Sequence, residues 1–194
     1  TPSVMNQRLG WRTEKFKPDQ LIATQASGQT RCSNESYGFY NPSIELYKAF
    51  VEEEGEDGYR LNECIVTYKE LASYPLQISN GNSVYANAGY FQLKFMPRAE
   101  EYVKTNVYTT SHVLFRYAEV LLLAAEAELA NGGDPNKAKT YLNDIRKRAK
   151  LAEKSSVTMD DVVKEKRLEL YGEATRFPDL VRWGLAATVL KDWG

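Results

Sequence analysis

Two apolar helical stripes joined by a very short connection constrain the fold more than any other feature of this sequence. Both stripes repeat at intervals of three and four residues, the spacing that places side chains on one face of a helix. The first consists of Leu114, Ala118, Leu121, Leu122, Ala125 and Leu129, and the second of Ala138, Tyr141, Leu142, Ile145 and Ala149. Because the first helix also carries Tyr117, Val120 and Ala124 beside its stripe, we expect it to be buried over most of its circumference.

The connection between the stripes has the residues that end one helix and start another. Gly132 and Gly133 end the first segment, Asp134 is a helix cap, and Pro135 suits the first helical position. With so few connecting residues, the two helices must be antiparallel neighbours. The sequence therefore predicts a helical hairpin of tetratricopeptide type.

A second hairpin is predicted after the first. Thr158 and Asp161 have the spacing of a capping box, and the helix that they start is expected to run to about Tyr171. Residues 177–179, Phe-Pro-Asp, are expected to break the chain before a fourth helix from Leu180 to Val189. Residues 111–194 thus form a helical repeat region with two hairpins.

Residues 1–110 are irregular by comparison. They predict a loop-rich region with one helix at about residues 42–54, with Asn41 and Ser43 at its start and Pro42 at its first helical position. Short strands are expected near residues 65–68 and 90–95, and a long loop from Gln25 to Asn41. We expect a mainly α fold, and a single domain that is a piece of a longer chain.

Composition narrows the classes of function. Lys and Arg total 25 and Asp and Glu total 26, so no strong field attracts nucleic acid or an anionic membrane. His112 is the single histidine, which argues against a His-rich zinc site or a Ser-His triad and leaves it a structural or exposed role. No phosphate-binding glycine loop is present, and we expect no cofactor. Cys32 and Cys64 could form a disulfide or be two buried thiols.

Three segments of the helical region resemble the signature helices of the SusD/RagB family. They are residues 116–127 (RYAEVLLLAAEA), 142–149 (LNDIRKRA) and 165–184 (EKRLELYGEATRFPDLVRWG), in the family's order and spacing. Shorter segments at residues 42–50, 57–61 and 89–95 resemble the stretches that precede those helices, so the resemblance covers roughly residues 37–184.

The resemblance implies a SusD-like fold and a non-enzymatic function. It implies a surface-exposed, lipid-anchored protein of the outer membrane, which binds an oligosaccharide and delivers it to a SusC-like TonB-dependent transporter. Members of the family have an N-terminal half with the lipid-modified cysteine and the first repeats, so we expect this chain to be a C-terminal-half fragment. The alternative is a helical-repeat adaptor that binds another protein.

A charged cluster near the end of the chain has two possible roles. Glu169 and Glu173 are four residues apart, as a pair of glycosidase carboxylates could be. Cations alternate with these acids at spacings that let each carboxylate meet an arginine, which favours a structural ion-pair network. The residues assigned to this network, which the resemblance places in the scaffold, are Glu165, Arg167, Glu169, Glu173, Arg176, Asp179 and Arg182.

The long loop is the first candidate for ligand binding. Aromatic rings stack on the apolar faces of sugars, and planar polar side chains match adjacent hydroxyls. The candidate residues are Arg31, Asn34, Tyr37 and Tyr40 in the loop, with Trp11 as a further stacking residue. An ordinary surface loop with its rings packed on the helices is the alternative.

The acidic run at residues 52–58 (EEEGEDG) is rich enough in carboxylates to suggest a calcium site. It lacks the alternating ligand spacing of an EF-hand loop. We therefore expect a solvated helix end and no metal site there.

Overall fold

The computed structural model describes six ranges of the chain. They are residues 21–23, 30–32, 41–72, 89–95, 113–130 and 132–191, with side chains described from residue 41 onward except at 71 and 72. Contacts divide the chain into two compact units, Thr1–His112 and Val113–Gly194, which are described separately. The described ranges are mainly helical, which confirms the predicted fold class.

The described residues of unit 1 form three helices and two pairs of short strands. In chain order these are β1 (Leu21–Ala23), β2 (Thr30–Cys32), α1 (Ile44–Glu54), α2 (Tyr59–Cys64), β3 (Ile65–Thr67), α3 (Tyr68–Ala72) and β4 (Tyr90–Gln92). The prediction of one helix in this half is wrong, because α2 and α3 also form. With 6 and 5 residues, these two helices are too short to show an apolar period in the sequence.

Helix α1 begins two positions later than its proline suggested. Ser43 is the N-cap, and its hydroxyl accepts a hydrogen bond from the Leu46 amide at 3.3 Å. Pro42 therefore precedes the cap and does not occupy the first helical position. The helix ends at Gly55, whose φ of +77° is the left-handed conformation that glycine favours.

Glu54 holds the corner between α1 and α2. Its carboxylate accepts hydrogen bonds from Arg60 Nε at 2.6 Å and from the Leu61 amide at 3.0 Å, and its side chain is 0% exposed. A β-carbon at Gly58 would lie 2.4 Å from Glu54 Cβ, so this approach requires glycine. The prediction of a solvated helix end is wrong at Glu54, because this acid supplies acceptors for α2.

The strand predictions of unit 1 are confirmed in part. β3 and β4 are antiparallel, with Val66 opposite Phe91, and both of these residues are buried. Inside the segment that was predicted to be a continuous loop, β2 pairs with β1 and places Arg31 opposite Ile22. The loop prediction is therefore wrong at Thr30–Cys32, because a strand of three residues is too short to show alternation.

Unit 2 contains five helices in the described ranges. These are α4 (Tyr117–Ala130), α5 (Pro135–Arg148), α6 (Met159–Glu169), α7 (Arg176–Arg182) and α8 (Ala186–Val189). Ala118 near the start of α4 packs in one cluster with Ile145 near the end of α5, whereas Ala125 packs with Ala138. The first two helices are therefore antiparallel, which confirms the predicted hairpin.

The hairpin turn is built as its sequence predicts. Asp134 is the N-cap of α5, its carboxylate accepts from the Asn136 amide at 2.8 Å, and Pro135 occupies the first helical position. The Gly133 amide donates to the Glu128 carbonyl at 2.9 Å. A β-carbon at Gly133 would lie 3.0 Å from that oxygen, so the close approach favours glycine.

One face of α4 is exposed, contrary to the prediction that this helix is buried over most of its circumference. Tyr117 is 73% exposed, and Val120 and Leu123 are about half as exposed. Leu114, which was assigned to the buried stripe, precedes the helix and is 85% exposed. The reason is that the elements with extensive contacts to α4, helices α5 and α6, pack against its opposite side.

The second half of unit 2 differs from a regular hairpin. The capping box of Thr158 and Asp161 is confirmed, and α6 ends at Glu169. Residues 177–179 form the first turn of α7 and do not break the chain, because a proline in the first turn needs no amide hydrogen bond. The predicted fourth helix is split between α7 and α8 at Gly184, which has a φ of +69°.

Arg116 joins the start of α4 to the end of α6. Its Nε donates to Glu173 Oε2 at 2.6 Å, Nη1 donates to Glu169 Oε1 at 2.7 Å, and Nη2 donates to the Glu169 carbonyl at 2.6 Å. Burial lowers the pKa of Arg116, but hydrogen bonds and charges from Glu173 and Glu169 outweigh it and raise the pKa. Arg148 also pairs with Glu169.

Further ion pairs connect α5 to α6 and α6 to α7. Arg146 pairs with Glu165 at 3.2 Å between α5 and α6. Lys166 of α6 and Arg182 of α7 both bind the Asp179 carboxylate, at 2.9 and 2.8 Å.

Glu126 connects α4 to the end of α7. Its carboxylate accepts hydrogen bonds from Arg182 Nη2 at 2.5 Å and from the Trp183 indole at 2.9 Å.

No helix in the described ranges is both long and apolar enough to cross a bilayer.

The two arginines on Glu169 provide a matched stability test. Arg116→Ala is expected to lower the free energy of unfolding by about 3 kcal/mol, because it leaves two mostly buried carboxylates without their main cation. Arg148→Ala, at a side chain that is 64% exposed, is expected to cost about 1 kcal/mol or less. Urea unfolding followed by circular dichroism measures both, and equal losses would contradict the role given to Arg116.

Glu126 predicts a pH dependence of stability. Burial would raise its pKa, but hydrogen bonds from Arg182 and Trp183 outweigh burial and lower the pKa below its usual 4.5. A carboxyl with a lowered folded-state pKa stabilises the fold above its unfolded-state pKa, and this contribution disappears as the pH falls. The stability difference between the wild type and Glu126→Gln should therefore shrink between neutral pH and pH about 3. A difference that stays constant over this range in urea unfolding would argue against the interaction.

Candidate functional site

Most of the ligand-binding residues expected from sequence lie outside the described side chains. Trp11, Asn34, Tyr37 and Tyr40 fall outside the described ranges, and Arg31 is described only as backbone in β2. The assignment of these residues to a sugar site therefore stays a prediction. His112 also lies outside the described ranges.

The two cysteines are described unequally. Cys64, at the end of α2, is a buried thiol that is not in a disulfide. Cys32 is described only as backbone.

The paired carboxylates that could have formed a hydrolytic site are held by one cation. Glu169 and Glu173 both bind the Arg116 guanidinium, and their side chains are 1% and 6% exposed. A general acid needs a raised pKa, whereas a neighbouring guanidinium favours the ionised carboxylate. This arrangement is suited to joining helices and not to proton transfer.

A cavity of about 560 Å³ in unit 1 is the better candidate site. Its volume is within the range that accommodates small ligands. Helix α1, the turn after it, α2, β3, α3 and the start of β4 all contribute to its walls. The lining residues are Tyr47, Glu56, Asp57, Leu61, Asn62, Ile65, Thr67, Tyr68, Lys69, Glu70, Gly89 and Tyr90.

Three tyrosines give the cavity its aromatic surface. Tyr47 of α1 and Tyr90 of β4 stack with ring centroids 4.3 Å apart and an interplanar angle of 24°. Tyr68, at the start of α3, is 38% exposed and lines the same cavity. A half-exposed tyrosine offers an apolar face and a hydroxyl to a ligand that has both C–H and O–H groups.

Hydrogen bonds on both sides of Tyr68 fix the backbone position from which its side chain extends. Thr67 donates from its amide and its hydroxyl to Glu70 Oε2, both at 2.7 Å, and its hydroxyl accepts from the Glu70 amide at 3.2 Å. These reciprocal bonds cap α3 as a capping box does. The Tyr68 amide donates to the Gly89 carbonyl at 2.7 Å, where Gly89 has a φ of +88°.

The polar wall of the cavity is predominantly acidic. Glu56, Asp57 and Glu70 contribute three carboxylates and Lys69 one ammonium, so their formal charges give −3 + 1 = −2. Burial, and then the charge of Glu56, raise the pKa of the Tyr47 phenol. A lining of this charge favours a neutral or cationic ligand over an anion.

The sequence does not predict this cavity, because its three tyrosines lie in segments that are separate along the chain. Tyr47 lies in the helix predicted at about residues 42–54, and Tyr68 and Tyr90 lie in two separate predicted strands. Only the pairing of β3 with β4 brings Thr67 opposite Tyr90. The described residues contain no group of three or more His, Cys, Asp or Glu side chains placed to hold a metal ion.

Comparison with known proteins supplies the family. The chain is 28% identical over 172 residues to a SusD-like protein of Bacteroides ovatus, which covers 85% of this chain and 30% of that protein. It is 42% identical over 83 residues to the starch-binding protein SusD of Bacteroides thetaiotaomicron, covering 41% of this chain and 14% of that one. This chain therefore spans about a third or less of the length of these relatives.

A solved structure and a family model agree with these relatives. A laminarin-binding SusD-like protein superposes with a TM-score of 0.68 at 29% identity, covering 98% of this chain and 38% of that one. The model of the SusD family matches residues 73–192, which is more than half of the chain. The chain therefore belongs to the SusD family.

Proposed function

We propose that this chain is part of a surface protein that binds a neutral oligosaccharide and delivers it to a SusC-like TonB-dependent transporter. The whole protein would be held at the outer membrane by a lipid anchor and would bind and release its ligand without breaking a bond. Two proteins to which the chain is similar, one a starch-binding protein and one a laminarin-binding protein, support glycan binding.

The observation that carries the proposal is the cavity with three tyrosines in unit 1. The exposed ring of Tyr68 offers a stacking surface for the C–H face of a pyranose. Asp57 and Asn62, which also line the cavity, offer acceptors and donors for sugar hydroxyls. The excess of carboxylates in the lining is the reason for proposing a neutral sugar and not a sulfated or uronic one.

The pairing of Glu169 and Glu173 with Arg116 supports binding without hydrolysis. Both carboxylates already accept charge-assisted hydrogen bonds from one guanidinium, at 2.6 and 2.7 Å. A glycosidase needs one of its two carboxyl groups to carry a proton.

A second candidate function is that of a helical-repeat adaptor for another protein. The observation in its favour is the apolar face of α4, where Tyr117, Val120 and Leu123 are exposed. A peptide partner recovered by this chain with no affinity for any carbohydrate would favour this function.

Affinity gel electrophoresis with soluble starch, laminarin, and a panel of neutral and acidic polysaccharides tests glycan binding. We expect at least one neutral polysaccharide to retard the chain. Tyr68→Ala should weaken that interaction at least about fivefold, the effect of removing an aromatic residue that contributes more than about 1 kcal/mol to binding.

Tyr117→Ala is the matched control, since it removes an exposed tyrosine from unit 2 and should leave retardation unchanged. If both variants lost retardation equally, the cavity would not be the binding site. Absence of retardation of the wild-type chain by every polysaccharide would contradict glycan binding by this part of the protein.

A further inference from the structure

Helix α3 carries the exposed ring of Tyr68 but has little stability of its own. It consists of five residues, Tyr68–Ala72, which is little more than one turn. The first turn of a helix is unfavourable to form, because it fixes several residues in return for a single hydrogen bond. The order of α3 therefore depends on the contacts at its ends.

Glu70 holds the start of α3. Oε2 of its carboxylate accepts hydrogen bonds from the amide and the hydroxyl of Thr67, both at 2.7 Å. The Thr67 hydroxyl in turn accepts from the Glu70 amide at 3.2 Å. Amides in the first turn have no partner within their helix, so this cap supplies one that the helix lacks.

Tyr68 lies between this cap and a strand pair. On the strand side, Thr67 is paired with Tyr90, and the Tyr68 amide donates to the Gly89 carbonyl at 2.7 Å. On the helix side, Tyr68 is the first residue of the turn that the Glu70 carboxylate caps. Loss of the cap would release the helix side of Tyr68 and leave its strand side paired.

The carboxylate of Glu70 is placed differently from the other two acids of the cavity. Glu56 and Asp57 are exposed in the turn after α1, whereas Glu70 is half-buried. Two short hydrogen bonds from Thr67 already occupy Oε2 of Glu70, which limits what that oxygen can accept from a sugar hydroxyl. These contacts favour an indirect contribution of Glu70 to binding.

We propose that Glu70 is a positioning residue of the glycan site, whose cap on Thr67 keeps the Tyr68 ring where a sugar can stack on it. This inference rests on the proposed function and extends it to a residue that does not touch the glycan. A ligand that binds only one conformation loses affinity in proportion to the fraction of molecules in that conformation. If α3 without its cap is ordered about a third of the time, the affinity falls about threefold.

A double-mutant cycle between Glu70 and Tyr68 tests the proposal. The measurement is affinity gel electrophoresis in the neutral polysaccharide that retards the wild-type chain most. We expect Glu70→Ala to weaken binding about threefold when Tyr68 is present. In a chain that carries Tyr68→Ala, Glu70→Ala should have no further effect, because the ring through which it acts is absent. A direct contact between Glu70 and the glycan would give the same loss in both chains.

Glu70→Gln separates the cap from the charge. Glutamine also serves at this position of a capping box, because its side-chain oxygen accepts from the capping residue. Glu70→Gln should therefore keep most of the affinity that Glu70→Ala loses.

Asp161→Ala is the matched control, because the cap of α6 has nearly the same geometry. Asp161 Oδ2 accepts from the amide and the hydroxyl of Thr158, both at 2.8 Å, and the Thr158 hydroxyl accepts from the Asp161 amide at 3.3 Å. Asp161→Ala also breaks an ion pair with Lys154. It should lower the melting temperature of the chain and leave retardation unchanged.

Three results would overturn this proposal. These are full affinity in Glu70→Ala, equal losses from Glu70→Ala with and without Tyr68, or an equal loss in Asp161→Ala. If Tyr68→Ala abolishes retardation, Glu70→Ala and Glu70→Gln decide the question, and equal losses in these two variants overturn the proposal. If Glu70→Ala loses its helical circular dichroism, Thr67→Val, which removes the hydroxyl from the cap, takes its place.

Failure of this inference can be distinguished from failure of the proposed function. A wild-type chain that no polysaccharide retards contradicts glycan binding itself, and full affinity in Tyr68→Ala contradicts the cavity as its site. A wild-type chain that loses affinity on Tyr68→Ala but not on Glu70→Ala contradicts only the role given to Glu70.

Discussion

The guanidinium of Arg116 is the interaction on which the helical unit depends. It lies just before α4 and donates three hydrogen bonds to residues more than fifty positions later. One of these bonds goes to the backbone carbonyl of Glu169, which is among the carbonyls at the end of α6 that have no partner within the helix. A single side chain thereby fixes the start of one helix, the end of another and the charges of two acids.

Other buried polar side chains of this unit also bond to backbone groups outside their own helix. Arg146 of α5 donates to the Ala152 carbonyl at 2.8 Å as well as to Glu165, and Asn143 holds the backbone of Lys154 through both its amide nitrogen and its oxygen. These polar side chains are buried because each one closes a segment that the apolar core does not reach. Arg176 is an exception in this unit, because its Nη1 is buried and has no hydrogen-bond partner among the described residues.

The two units use their polar and aromatic residues for different purposes. In unit 2 the charged residues mostly satisfy one another, and the aromatic Trp183 serves as a platform for Lys166 and Arg182. In unit 1 the tyrosines and acids of the cavity face open volume, and only Glu70 among the acids has a local capping role. The polar and aromatic residues of unit 2 therefore suit the packing of helices, and those of unit 1 suit the binding of a ligand.

The sequence by itself determined the features that depend on neighbours three or four residues apart. The hairpin of α4 and α5, the caps at Asp134 and Thr158, and the family resemblance all follow from local spacing and short motifs. The charged network was also visible in the sequence, because acids and arginines alternate along one helical segment.

Tertiary structure alone decided which partner each group meets. Glu173 could have paired with the arginine three positions later, but its carboxylate accepts from Arg116, and the cavity assembles side chains from six separate elements. The exposure of α4 at Tyr117 likewise depends on which helices are present to cover it. Spacing along a chain specifies the face of a helix that a residue occupies, whereas the packing of distant segments decides what lies opposite that face.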